Sequence, residues 1–166
     1  MSAAHFMHEL QHEAISTRKM LARLPNDKMG WKPHDKSMTL GELAVHVAEL
    51  PTFISLILKT DALDFQSGDF VPSKADTAEE LVRIFDNCTA NAIADLDAVT
   101  DQDVLTRNWT ASSGDHLIFT LPRAAALRTL AFSHLIHHRG QLAVYLRLLN
   151  IPVPSIYGPS ADESEK

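Results

Sequence analysis

A single cysteine, Cys88, in 166 residues has no partner for an intrachain disulfide. Its isolation excludes a disulfide-stapled scaffold and points to a reducing compartment. Basic residues are also scarce, 15 against 21 acidic ones, and the formal charge of -6 has the wrong sign for a surface that neutralises phosphates. Nucleic acid is therefore not an expected partner. With only 8 prolines and 6 glycines the chain is neither fibrous nor low in complexity. The amino terminus, Met1 to Glu13, lacks the basic start and apolar run of an export signal. Long apolar runs are missing too. Leu40 to Leu58, the most apolar stretch, is interrupted by Glu42, His46, Glu49 and Pro51 and fails the test for a membrane span. These absences predict a cytoplasmic protein that engages neither nucleic acid nor membrane.

What is present is enough apolar residue, 45%, to bury the core of one domain. Residues 1–159 are read as that domain and 160–166 as a polar tail that frays. At about 100° per residue, Phe6, Leu10, Thr17, Leu21 and Leu24 form one stripe, predicting a first helix closed by Pro25. Thr39 and Glu42 have the spacing of a capping box ahead of Leu43, Val47, Leu50, Ile54 and Leu58. Pro51 must kink that second helix or divide it. Asp76 or Thr77 caps a third, with Leu81, Ile84, Phe85, Cys88, Ala92, Leu96 and Val99 along one line. A long fourth follows Pro122 and stops before Ile151-Pro152. Thr106–Thr110 and His116–Leu121 flank Ala-Ser-Ser-Gly-Asp, which reads as a short hairpin. The expected fold is all-α: a four-helix bundle with a short hairpin before the last helix. The link from Lys59 to Ala75 is too long for antiparallel neighbours and suggests a crossover.

Nine histidines are the compositional feature that asks for chemistry. His134 and His138 are spaced i, i+4 on the apolar face of helix four, with Leu127, Ala131, Leu142, Tyr145 and Leu149. Such a pair is either hydrogen-bonded within the core or half of a metal site, and spacing alone does not choose. His46 lies at the edge of helix two's apolar face, where it can reach a facing helix. Three neutral imidazoles from two helices would leave coordination positions for water or substrate, as catalytic rather than structural ions require. His8 and His12 repeat the i, i+4 spacing but lie opposite the apolar stripe of helix one, so solvent exposure is expected. Glu42 and Glu49 neighbour His46 as a conceivable base or anchor, but carboxylates at a face boundary are usually solvated, so neither enters the site. Cys88 reads as a small core residue.

The run His134-Leu135-Ile136-His137-His138-Arg139-Gly140-Gln141 resembles the H-x-x-x-H-R-G-Q signature of the DinB/YfiT-like proteins, which are grouped with thiol-dependent S-transferases. Leu43 to Glu49 is similar to that family's first histidine segment, and Pro154 to Asp162 to its closing segment. The resemblance implies up-down-down-up helix order, homodimerisation, and a divalent metal, commonly nickel or zinc, on His46, His134 and His138. It further implies an enzyme in which a low-molecular-weight thiol such as bacillithiol or mycothiol occupies an open metal position and is activated for attack on an electrophile. Water activated for hydrolysis is the variant reading. The alternative class is a non-catalytic metal-binding stress-response protein. Arg139, turned away from the histidines toward Phe132, Ile136 and Ala143, is expected to face a second subunit. Tyr157 would lie over the site as a polar lid.

Overall fold

A computed structural model describes residues 2–68, 70–100 and 102–163. The helix α1, Ala3–Leu21, starts at Ser2, whose hydroxyl accepts the His5 N–H. It buries Phe6, Leu10, Thr17 and Leu21, and Leu24 beyond it, as the stripe predicts. The predicted capping box is formed: Thr39 and Glu42 satisfy each other's backbone donors at the start of α2, Leu40–Glu49. Pro51 divides the second helix. A new segment, α3, runs from Thr52 to Lys59, bent 42° from α2. No single described helix is long and apolar enough to cross a membrane, and most apolar side chains of the bent α2–α3 pair, Leu40, Leu43, Val47, Leu50, Phe53, Ile54 and Ile57 among them, lie in the core.

The link after α3 holds a short strand, β1, Ala62–Asp64, before Thr77 opens α4, Ala78–Asp97, with a second capping box. The hairpin is present as β2, Asn108–Ser113, and β3, His116–Pro122, so the turn is narrower than expected, with Gly114-Asp115 at its tip. Gly114 has φ +58°, a backbone conformation that L side chains rarely adopt, which explains the glycine. β1 pairs parallel to β2, Leu63 opposite Ala111, while β3 pairs antiparallel to β2. This three-stranded mixed sheet overturns the all-α four-helix-bundle expectation: the protein is mixed, helices with a sheet. Its physical basis is period-two burial. Trp109 and Ala111 point inward from β2 and Leu63 joins them from β1, so the sheet contributes to the core.

The last helical region is not one uniform α-helix. A single turn, α5, Arg123–Ala126, passes into π-helical Leu127–Ser133 and then into α6, His134–Leu148. It ends in a Schellman arrangement, Asn150 at φ 58° and Ile151 N donating to Leu146 O over 2.9 Å. α4 packs on α1, α2 and α3, and α6 packs on α2 and α1, which sets α2 and α6 face to face. Ser160–Glu163 is pinned rather than frayed. Asp162 pairs with Arg147, Glu163 pairs with Arg23, and Ser160 Oγ donates to Val153 O. Residues 164–166 of the predicted tail lie outside the described residues.

Candidate metal centre

Because α2 and α6 face each other, His46 from the first meets His134 and His138 from the second. One ring nitrogen from each of the three lies within 4.8 Å of the others. The Nε2 atoms of His46 and His134 are 3.2 Å apart. Zinc–imidazole bonds of about 2.0–2.1 Å at tetrahedral angles would separate two ligand nitrogens by roughly 3.3 Å. The pair therefore already stands at the spacing that one ion imposes.

Hydrogen bonds select which nitrogen is free. His134 Nδ1 donates to the Leu130 carbonyl at 3.3 Å, and His138 Nδ1 donates to Gln141 Oε1 at 2.7 Å. Both assignments leave Nε2 with its lone pair directed away from those acceptors, the role of a second group that orients a metal-binding imidazole. Protons are also disfavoured. Burial, then the charges of His134 and His138, lowers the His46 pKa from 6.5 to about 4. Burial lowers His134 and His138 as well, assisted by His138 acting on His134 and by His137 acting on His138. Three unprotonated imidazoles at neutral pH are the donor set that a divalent ion of intermediate softness takes.

The π-helical segment ends at Ser133, one residue before the first ligand on α6. A π turn holds more than 3.6 residues, so it resets the angular position of everything that follows relative to α5. His8 and His12 are exposed on α1, as expected, and His137 is exposed beside His138. Cys88 is half-buried against Thr52 and has no place in the histidine group; burial raises its thiol pKa.

Three other readings are corrected. Arg139 does not face solvent or a second subunit: it is 1% exposed, pairs with Glu13 at 2.6 Å, and donates to Ser16 Oγ and Thr17 Oγ1 on α1. The sector with Phe132 is core because α1 covers it. Tyr157 is no lid over the histidines, since its hydroxyl takes a hydrogen bond from Arg139 at 2.8 Å and donates to Glu13 at 2.9 Å. Glu49 is buried rather than solvated, with Oε1 accepting the Ser73 N–H at 2.6 Å, whereas Glu42 is exposed and occupied in capping. Beside His46 opens a cleft of about 890 Å³, lined in part by His46, Glu49, Met38, Val45 and Phe70. The crossover residues that form one wall carry no periodic signal, so the cleft was not readable from the sequence.

The DinB family model matches residues 1–166, the whole chain. The protein belongs to the DinB family. Among relatives, the uncharacterised protein YrdA of Bacillus subtilis strain 168 is 28% identical over 173 aligned residues, covering 98% of this chain and 92% of YrdA. The uncharacterised protein YjoA of the same organism is 28% identical over 141, covering 84% of this chain and 85% of YjoA. In three dimensions the chain is similar to a DinB-like protein from Bacillus cereus ATCC 10987, with TM-score 0.69, 24% identity, and coverage of 92% of this chain and 95% of that one. It is equally similar to the YjoA crystal structure, with TM-score 0.71, 21% identity and coverage of 93% and 99%. At that identity the structural likeness speaks for the fold. DinB family membership and the three-histidine group are together compatible with divalent metal binding.

Proposed function

We propose that this DinB family protein binds a divalent metal ion, nickel or zinc, through His46, His134 and His138, and uses it in a metalloenzyme reaction. The observation that carries this reading is the convergence of three imidazoles from α2 and α6, with the His46 and His134 Nε2 atoms 3.2 Å apart. Three protein ligands are the complement of a catalytic rather than a closed structural site. A metal bound there supplies a cationic centre that favours the thiolate of a low-molecular-weight thiol, or the deprotonated form of water, near neutral pH. The chain's own contribution is to hold the imidazoles neutral by burial and to fix the His134 and His138 tautomers through Leu130 and Gln141. The cleft reaching His46 favours the enzyme over a non-catalytic metal-binding stress-response protein, because a purely structural ion needs no adjoining space for a substrate.

Metal content of untagged protein after gentle dialysis tests the site. Near-stoichiometric metal is expected in wild type and in His12→Ala, and loss in His138→Ala. Equal content in all three, or none after reloading with zinc and nickel, would defeat the reading.

A further inference from the structure

The cleft beside His46 contains a carboxylate that metal binding leaves without a task. Glu49 is 7% exposed and lies one helical turn after His46 on α2, and both residues line the cleft. Its Oε1 accepts the Ser73 N–H. No lysine, arginine or histidine forms an ion pair with Glu49 among the described residues. The contrast is with Glu13, equally buried at 5% but matched by the Arg139 guanidinium. A carboxylate withdrawn from water needs a counter-charge or several donors, and Glu49 has one backbone donor. Its remaining oxygen is not sealed into the core, since it is absent from the fully buried, unpartnered side-chain atoms.

The rest of the lining matches a particular kind of ligand. Met29, Met38, Val45 and Phe70 give the cleft an apolar body. Its charged lining residues are Glu42, Glu49 and Asp76 against Lys36 and Lys74, a balance of one negative charge. Both lysines are exposed. An apolar channel with one buried, uncompensated carboxylate favours a cation carried on an apolar frame.

We propose that Glu49 recognises a protonated amine on a small ligand whose apolar portion lies along Met38, Val45 and Phe70 in the cleft that reaches His46. This names the ligand class for the site read above as a metal centre, and it rests on that reading only for the chemistry at the ligand's other end. Neutral isosteres leave the carboxylate unpaired and bind less well; anionic ones are repelled.

Phenethylamine and its neutral isostere 2-phenylethanol are the probes, titrated into zinc-reconstituted full-length protein and followed by NMR shifts, with metal content measured on the same samples. Wild type should bind the amine about tenfold or more tighter than the alcohol, with shifts at Val45 and Phe70. Glu49→Gln keeps the acceptor for Ser73 N–H and the side-chain volume but removes the charge, and should bring the two probes to parity. Val45→Trp, which fills the cleft and leaves Glu49 intact, should abolish binding of both and decides the matter if Glu49→Gln fails to fold. His138→Ala should lose metal yet keep the preference for the amine. Parity or no binding in wild type would overturn the proposal. So would a preference that survives in Glu49→Gln, or one lost in folded His138→Ala, which would mean that the amine binds the metal instead. Wild type without metal but with the amine preference would sink the metal reading alone.

Discussion

The Nε2 atoms of His46 and His134 stand 3.2 Å apart, although 88 residues separate them along the chain. Two nitrogen lone pairs cannot point at each other at that distance without repulsion. Either one ring donates an N–H to the other or a cation lies between them. His134 has already given its proton-bearing nitrogen to the Leu130 carbonyl. Without metal the donor must therefore be His46, and coordination through its Nε2 requires that proton to move to Nδ1 of the same neutral ring. The cluster thus has two satisfied states, related by the tautomer of His46.

The orientation of His138 depends on Gln141, whose Oε1 lies 2.7 Å from Nδ1. Gln141 is exposed, so its loss should leave the fold intact. We expect Gln141→Ala to weaken zinc binding by about 10- to 100-fold in a competition titration against a chelator. Its thermal midpoint without metal should match wild type.

Arg139 and Glu13 form a buried ion pair, with side chains 1% and 6% exposed. Removing one partner strands the other charge, so Arg139→Met should cost about 3–5 kcal/mol in urea unfolding. Tyr157→Phe removes one hydroxyl from the same network and should cost about 0.5–1.5 kcal/mol. Equal effects of the two would show that the guanidinium is not the centre of this network.

Chelator-treated protein should lose stability with acid over a defined window. The folded His46 pKa lies at about 4 against an ordinary 6.5, because burial and the other two imidazoles oppose its charge. The unfolded chain takes up this proton first as pH falls, so folding weakens progressively between about 6.5 and about 4 and gains nothing from this group above that range. His134 and His138 add in the same direction. Denaturation midpoints measured across the window should slope downward toward acid, and His46→Gln should flatten the slope.

The π-helical segment can be tested by shortening it. Deleting the exposed Thr129 lets Leu127–Ser133 close into α-helix, which would roll α6 by about 100° relative to α5. Zinc binding should then be lost while helical circular dichroism persists. Retained stoichiometric zinc would mean that α6 keeps its facing independently of the segment.

Local signals were legible wherever one side chain and its neighbours carried the information. The Thr39–Glu42 box, the break at Pro51 and the stop before Pro152 are short-range steric and hydrogen-bonding events, and each occurs where its residues predict. The histidines were legible for the same reason, through spacing on a helix face and a motif. The sheet's first strand was not. Ala62–Asp64 is three residues long, and its partner Thr110–Ser112 lies 48 residues later, so no alternation or turn announces it. The widened turn before His134 has no residue signature either, because Leu127–Ser133 would suit an ordinary α-helix. Arg139 was misplaced since a charged residue on a helical wheel reads as outward until its partner, Glu13 on α1, is known.

The junction between Arg139 and α1 bears on the neighbouring imidazoles. Arg139 follows His138 directly, about 100° further round α6, and is held to α1 by an ion pair and two hydroxyl acceptors. A helix anchored on that side cannot roll about its own axis without breaking a buried pair. His134 and His138 are therefore aimed at α2 by folding itself, before any ligand arrives, and little ordering entropy is left for binding to supply. Loosening the anchor should make capture slower and weaker from a distance, through freedom of rotation rather than through any lost contact with the ion.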